Sequence, residues 1–220
     1  MFRDRAEAGK RLAEVVIKYG GATSPIVLAI PRGGGGVVVG AEVSARLGCP
    51  MDVIICSKLG GAPLEPELAV GAICESSRNI YLNQGLINGL GIDEKYIEGL
   101  ARAKAREMEE RRRLYRSGRE LMQVSGKDVF VVDDGMATGG ATVMAAVRYL
   151  EKKSPRSIVV AVPVAQRSVV REVAQSVDEV LTVESYDDMI AISQYYERFE
   201  QVSDEEVLSI LSSGKTLTGL

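Results

Sequence analysis

The run Val129-Phe130-Val131-Val132-Asp133-Asp134-Gly135-Met136-Ala137-Thr138-Gly139-Gly140-Ala141-Thr142 constrains the fold more than any other part of this chain. A short, unbroken apolar stretch reads as a strand buried on both faces. Two carboxylates stand where it ends. A loop of small residues and hydroxyls follows, then an apolar helical pattern through Val143, Ala146, Val147 and Leu150. A strand that passes through a Gly/Thr loop into a helix gathers backbone N–H groups and a positive helix end around an anion. Adjacent aspartates suit a ribose diol or a hydrated Mg²⁺ ion. Together these features read as a sugar-phosphate site. A P-loop is excluded because no Gly-Lys-Ser/Thr follows the glycines. A dinucleotide fingerprint is excluded because no G-x-G-x-x-G follows a strand.

The rest of the chain repeats the strand-then-helix alternation. Residues 3–19 predict an amphipathic helix with Ala6, Gly9, Leu12, Ala13 and Val16 on one face. Strands are expected at 26–30, 53–56, 129–133, 158–163 and 179–183, with helices at about 37–47, 93–116, 141–152 and 167–176. Segments 68–74 and 79–82 predict a hairpin around Ser76-Ser77 within a Gly/Pro/Asn-rich stretch, 57–91. The expected fold is α/β, a doubly wound, mainly parallel five-stranded sheet with a flexible lid or hairpin at 57–91 and a small C-terminal hood at 185–220, all in one domain. In such sheets ligands bind beyond the carboxyl ends of the strands.

Composition narrows the chemistry. The chain has no histidine, which removes His-activated nucleophiles and His-ligated zinc. Its net charge of −3 gives no reason to expect nucleic acid. No stretch reaches the length of a membrane span, and the first residues lack a signal-peptide apolar core. The three cysteines, Cys49, Cys56 and Cys74, have no C-x-x-C spacing and read as free thiols in a reducing cytoplasm. The Arg-rich stretch 102–119 invites a polyanion reading. Glu98–Arg102, Glu107–Arg111 and Glu109–Arg113 favour a solvated, salt-bridged helix face instead.

Residues 129–142 also resemble the phosphoribosyl pyrophosphate (PRPP) motif of the type I phosphoribosyltransferases: apolar residues, two acids, two variable residues, then a Thr-Gly-rich loop. The similarity extends to Pro31-Arg32-Gly33-Gly34, Lys58-Leu59-Gly60-Gly61, Pro66-Glu67-Leu68-Ala69-Val70-Gly71-Ala72, the Arg-rich helix and a tail from Tyr196 to Glu206. These occur in this order in a broad group of similar proteins, mostly without an assigned acceptor.

The resemblance implies roles for individual residues. Asp133 and Asp134 would bind the ribose hydroxyls, hold Mg²⁺ through water and substrate, and offset charge developing on the ribose. Ala137, Thr138, Gly139, Gly140, Ala141 and Thr142 would bind the 5′-phosphate. Arg32, Gly33 and Lys58 would bind pyrophosphate; the Arg32–Gly33 turn often holds a strained peptide bond in this family, and Lys58 begins its mobile lid. Glu67 is a lid residue or an ordinary solvated glutamate. The aromatic-rich segment 185–200, with Tyr186, Tyr195, Tyr196 and Phe199, would form a hood over the acceptor base or pack a tail onto the core, and Arg167 would recognise an acceptor carbonyl.

The implied reaction is Mg²⁺-dependent transfer of the 5-phosphoribosyl group from PRPP to a small-molecule base, by a homodimer in the cytoplasm. Ala137 stands where purine-salvage members carry an aspartate. That departure points away from a simple hypoxanthine/guanine transferase and toward an acceptor that reacts as an anion or one helped by another carboxylate. Two other readings remain open. One is a PRPP- or nucleotide-sensing regulator without chemistry, and the other is a hydrolase of a ribosyl phosphate.

Overall fold

The computed structural model describes residues 1–60 and 69–213, apart from the side chains of Arg32 and Thr138. In chain order it runs α1 (Arg5–Tyr19), β1 (Pro25–Ala29), α2 (Gly35–Leu47), β2 (Met51–Val53), β3 (Cys56–Leu59), β4 (Gly71–Cys74), β5 (Ser76–Leu82), α3 (Gln84–Leu90), α4 (Glu94–Arg116), β6 (Asp128–Val132), α5 (Ala141–Glu151), β7 (Ser157–Gln166), α6 (Arg167–Val173), β8 (Glu179–Tyr186) and α7 (Asp204–Ser213). Five strands form a parallel sheet in the order β2-β1-β6-β7-β8. The strand order reverses between β1 and β6, whose ends align at Ala29 and Val132. That reversal opens a crevice beyond both strands, where doubly wound sheets take their ligands.

Burial on both faces explains why the strands are apolar throughout. Val27, Ala29, Phe130, Val132, Val159 and Ala161 face α1 and α2. The intervening Ile26, Leu28, Val129, Val131, Ile158 and Val160 face α5. Alternation along each strand thus feeds two cores. Helix α1 buries Arg5 and Ala8 beside Gly9, Leu12, Ala13 and Val16, so the buried stripe includes Arg5 rather than Ala6.

The expected strand at 53–56 straddles a break. Met51–Val53 belongs to the main sheet, while Cys56–Leu59 starts a separate antiparallel sheet in the order β3-β4-β5. The hairpin β4–β5 turns at Glu75, whose φ of 60° is left-handed, one residue before the expected Ser76-Ser77. This sheet and α3 make up the described part of 57–91. Glu67 lies outside the described residues. On α4, Arg102 pairs with Glu98 and Arg113 with Glu109, as the spacing predicts, but Glu107 pairs with Lys104. The three cysteines are free thiols, and no described helix is long and apolar enough to cross a membrane.

Candidate active site

An open cleft of 570 Å³ lies at the strand-order reversal. Its floor is built from the two loops that leave β1 and β6. After β1, Gly33 and Gly34 adopt φ of 59° and 73°, and α2 begins at Gly35. Left-handed backbone of this kind favours glycine. The peptide bonds of the described residues are all trans, so these two glycines make the turn without a cis bond.

The glycines of this loop divide by purpose. A Cβ on Gly35 would sit 2.0 Å from Asp134 Oδ2, and one on Gly36 would sit 2.3 Å from the Ile30 carbonyl and 3.0 Å from Asp133 Oδ1. Only glycine lets the first turn of α2 rest against the acid pair, where its positive end faces negative charge. A Cβ on Gly33, by contrast, would meet no described atom within 4 Å, and Gly33 lines the cleft. Gly33 is therefore the member of the run that faces ligand space.

Asp133 and Asp134 follow β6 and are each 7% exposed. The Asp134 N–H donates to Asp133 Oδ1 at 2.8 Å. Arg5 Nε donates to Asp134 Oδ2 at 2.8 Å, while Arg5 Nη1 donates to the Glu200 carbonyl at 2.7 Å. The Arg5 guanidinium also lies 3.7 Å from the centre of the Phe199 ring. Tyr196 Oη donates to the Asp134 carbonyl at 2.6 Å. Burial and the negative charge of Asp134 push the Tyr196 phenol above its ordinary range, which keeps it a donor.

The loop continues with Met136 pinned to β7 on both sides: its N–H donates to Val164 and its carbonyl accepts from Gln166, each at 2.9 Å. Gly139 and Gly140 then turn through φ of 76° and 51°, and α5 starts at Ala141. Gly140 is packed, since a Cβ there would lie 2.9 Å from Val169, whereas one on Gly139 would meet no described atom. Thr142 stands in the first turn of α5 and lines the cleft. Lys58 reaches the same cleft from β3.

The sequence matches the family of the phosphoribosyl transferase domain over residues 3–200. The chain belongs to this family. Two curated Mycobacterium tuberculosis proteins are similar to it: "Putative phosphoribosyl transferase MT0597" of strain CDC 1551 and "Putative phosphoribosyl transferase Rv0571c" of strain H37Rv. Each is 36% identical over 211 residues, 96% of this chain and 46% of theirs. The chain thus spans about half the length of the curated relatives it matches. The crystal structure of TT1426 from Thermus thermophilus is 38% identical with a TM-score of 0.77, covering 96% of this chain and 97% of that one.

Within this phosphoribosyl transferase domain, one cleft gathers Gly33, Lys58, Asp133, Asp134, Ala137, Gly140, Ala141 and Thr142. The side chains of Arg32 and Thr138 lie outside the description. Arg167, Tyr186, Tyr195 and Tyr196 do not line the cleft. Arg167 is exposed and ion-pairs with Asp187. Tyr186 stacks on Tyr195 at 4.5 Å and bonds Glu184 at 2.6 Å. Tyr196 is buried with Phe2, Ala8, Val164 and Met189.

The cleft's hood side is Ile190, Ala191, Ile192, Ser193 and Phe199 of the expected 185–200 segment, with Gln201 just beyond it. Arg5 was not singled out by the sequence, although an arginine on the apolar stripe of α1 is a legible sign of a buried charge with a partner. Ile190 and Ile192 carried no signal distinguishing them from core residues.

Proposed function

We propose that this domain binds PRPP in the cleft and transfers its 5-phosphoribosyl group to a base, releasing pyrophosphate with Mg²⁺ as cofactor. One observation carries the reading: the acid pair, Ala137, Gly140, Ala141, Thr142, Gly33 and Lys58 line a single cleft at the reversal of strand order. Asp133 and Asp134 receive the ribose hydroxyls. The N–H groups of the 138–142 turn and the Thr142 hydroxyl receive the 5′-phosphate, with the positive end of α5 behind them. Gly33, Lys58 and Arg32 receive the pyrophosphate.

The donor set fits magnesium. Among the described residues no group of three or more metal-ligating side chains stands ready. Two hard carboxylates suit an ion that takes most of its ligands from substrate phosphate oxygens and water. When bound, Mg²⁺ supplies positive charge to the diphosphate. The chain's own residues position the ribose and stabilise the departing charge through Lys58, Arg32 and loop N–H groups. Ile190, Ile192 and Phe199 offer the acceptor an apolar wall, with the Gln201 amide and Ser193 hydroxyl as its polar contacts. The aromatic cluster of Tyr186, Tyr195 and Tyr196 and the Arg167–Asp187 pair shape the hood from outside the cleft. The protein acts as a homodimer in the cytoplasm.

The test is pyrophosphate release from PRPP with Mg²⁺ across purine, pyrimidine and related ring acceptors, with Asp133→Asn as blank. Release that depends on one acceptor supports transfer and identifies the substrate. PRPP consumed without an acceptor favours a hydrolase. PRPP bound without release by any acceptor favours a sensing protein.

A further inference from the structure

Asp134 is held in place by a residue from the other end of the chain. The Arg5 guanidinium makes three contacts: Nε to Asp134 Oδ2, Nη1 to the Glu200 carbonyl, and its face on Phe199. Its side chain is 9% exposed and that of Asp134 is 10% exposed, so little water competes for the pair. Arg5, Asp134 and Phe199 all line the cleft. The bridge therefore runs along the wall from the acid pair to the hood.

We propose that Arg5 is a positioning residue for PRPP, acting through Asp134. The inference rests on the PRPP reading above and extends it. Two buried neighbouring carboxylates carry two negative charges, which would repel a polyphosphate. Arg5 leaves the trio with one. Its planar fork also fixes the Asp134 carboxylate in one orientation while tying it to residues 199–200, so the ribose site and the hood keep a fixed relation. A lysine cannot bond two oxygens in this fork and cover the ring as well. Further tethers hold Arg5 on this line. Asp4 caps α1 by accepting from the Glu7 N–H at 2.9 Å and takes an ion pair from Arg198 at 2.7 Å. Phe2 bonds Tyr195 and Glu197 through its backbone, at 2.8 Å each.

The experiment is calorimetric titration of PRPP with Mg²⁺ into the wild type, Arg5→Lys, Arg5→Gln, Asp134→Asn and the Arg5→Gln/Asp134→Asn double variant, all checked for folding. Arg5→Lys keeps the buried charge, and the double variant removes both charges, so the series survives if Arg5→Gln alone fails to fold. We expect Arg5→Lys and Arg5→Gln each to weaken PRPP about tenfold, the scale of one lost charge-assisted contact. The double variant should bind within about twofold of Asp134→Asn, because Arg5 acts through that carboxylate. In Arg5→Lys, which keeps the charge, ribose 5-phosphate affinity should fall with PRPP affinity while pyrophosphate affinity holds, a split that general destabilisation does not produce. Wild-type binding in Arg5→Lys, or an equal loss from Arg5→Gln in both backgrounds, overturns the inference and leaves the PRPP reading standing. A folded wild type that binds no PRPP overturns both.

Discussion

The phenol of Tyr196 donates a 2.6 Å hydrogen bond to the backbone carbonyl of Asp134, 62 residues earlier in the chain. The bond is buried, and it fixes the peptide that follows the acid pair. Tyr196→Phe leaves a buried carbonyl without that donor, so we expect a loss of about 1–3 kcal/mol of stability, read by urea unfolding. PRPP affinity should fall less than in Asp133→Asn, because the carboxylates themselves remain. Unchanged stability would mean that the carbonyl finds another donor.

Gly35 and Gly139 predict opposite failures. Gly35→Ala drives a methyl group to within 2.0 Å of Asp134 Oδ2, so the first turn of α2 must move off the acid pair. It should destabilise the fold by about 1–3 kcal/mol, as overpacking does. Gly139→Ala meets no described atom but holds φ of 76°, which costs an L-residue about 1–2 kcal/mol. Its methyl projects into open space beside the 137–142 loop. It should therefore weaken ribose 5-phosphate binding beyond what its modest thermal shift explains. Paired thermal melts and phosphate titrations check both variants.

Arg116 is 1% exposed and ion-pairs with Glu75, which sits at the left-handed turn of the β4–β5 hairpin. Burial pushes the Glu75 carboxyl above its usual range, and Arg116 pulls it partly back. Arg116→Met strands that carboxylate and should cost about 3–5 kcal/mol. Glu75→Gln combined with Arg116→Met should recover most of the loss, since the amide oxygen can still accept from the Ile55 N–H, now 2.8 Å from Glu75. Failure of the double variant to recover would place the importance of Arg116 in packing rather than charge.

Much of the fold was legible because its strands are buried on both faces, and an unbroken apolar run leaves a plain trace. The succession of parallel strands and the acid-pair loop followed from that. The break between Val53 and Cys56 was hidden, because Ile54 and Ile55 continue the apolar run across the change of sheet. In the candidate site, the cleft-lining residues Asp133, Asp134, Ala137, Gly140, Ala141 and Thr142 stand out by local pattern alone. The Arg5–Asp134 pair was not, since it joins residues 129 positions apart and no local spacing encodes it. The hood aromatics drew attention by their number, and Phe199 does line the cleft; the three tyrosine rings pack on one another and the core, while Ile190 and Ile192 of the wall cannot be told from core isoleucines by sequence.

Asp128 gives a pH signature. Burial raises its carboxyl, but donation from the Ser24 and Thr23 N–H groups, the Ser157 hydroxyl and Arg156 outweighs it, and the folded value lies below the ordinary one. A depressed carboxyl contributes stability that is fully present above its unfolded value of about 3.9 and is lost as pH falls through the lower folded value. The stability gap between wild type and Asp128→Asn, measured by urea unfolding, should be largest near neutral pH and shrink on acidification below about pH 4. A gap that does not change with pH would assign Asp128 a purely steric role.

The most direct test of the central claim is calorimetric titration of PRPP, with Mg²⁺, into the wild type and Asp133→Asn, each repeated with excess ribose 5-phosphate. PRPP should bind saturably at one site per chain, be displaced by ribose 5-phosphate, and fail to bind the folded variant. A folded wild type that binds no PRPP, or an Asp133→Asn protein that binds it equally well, would contradict it.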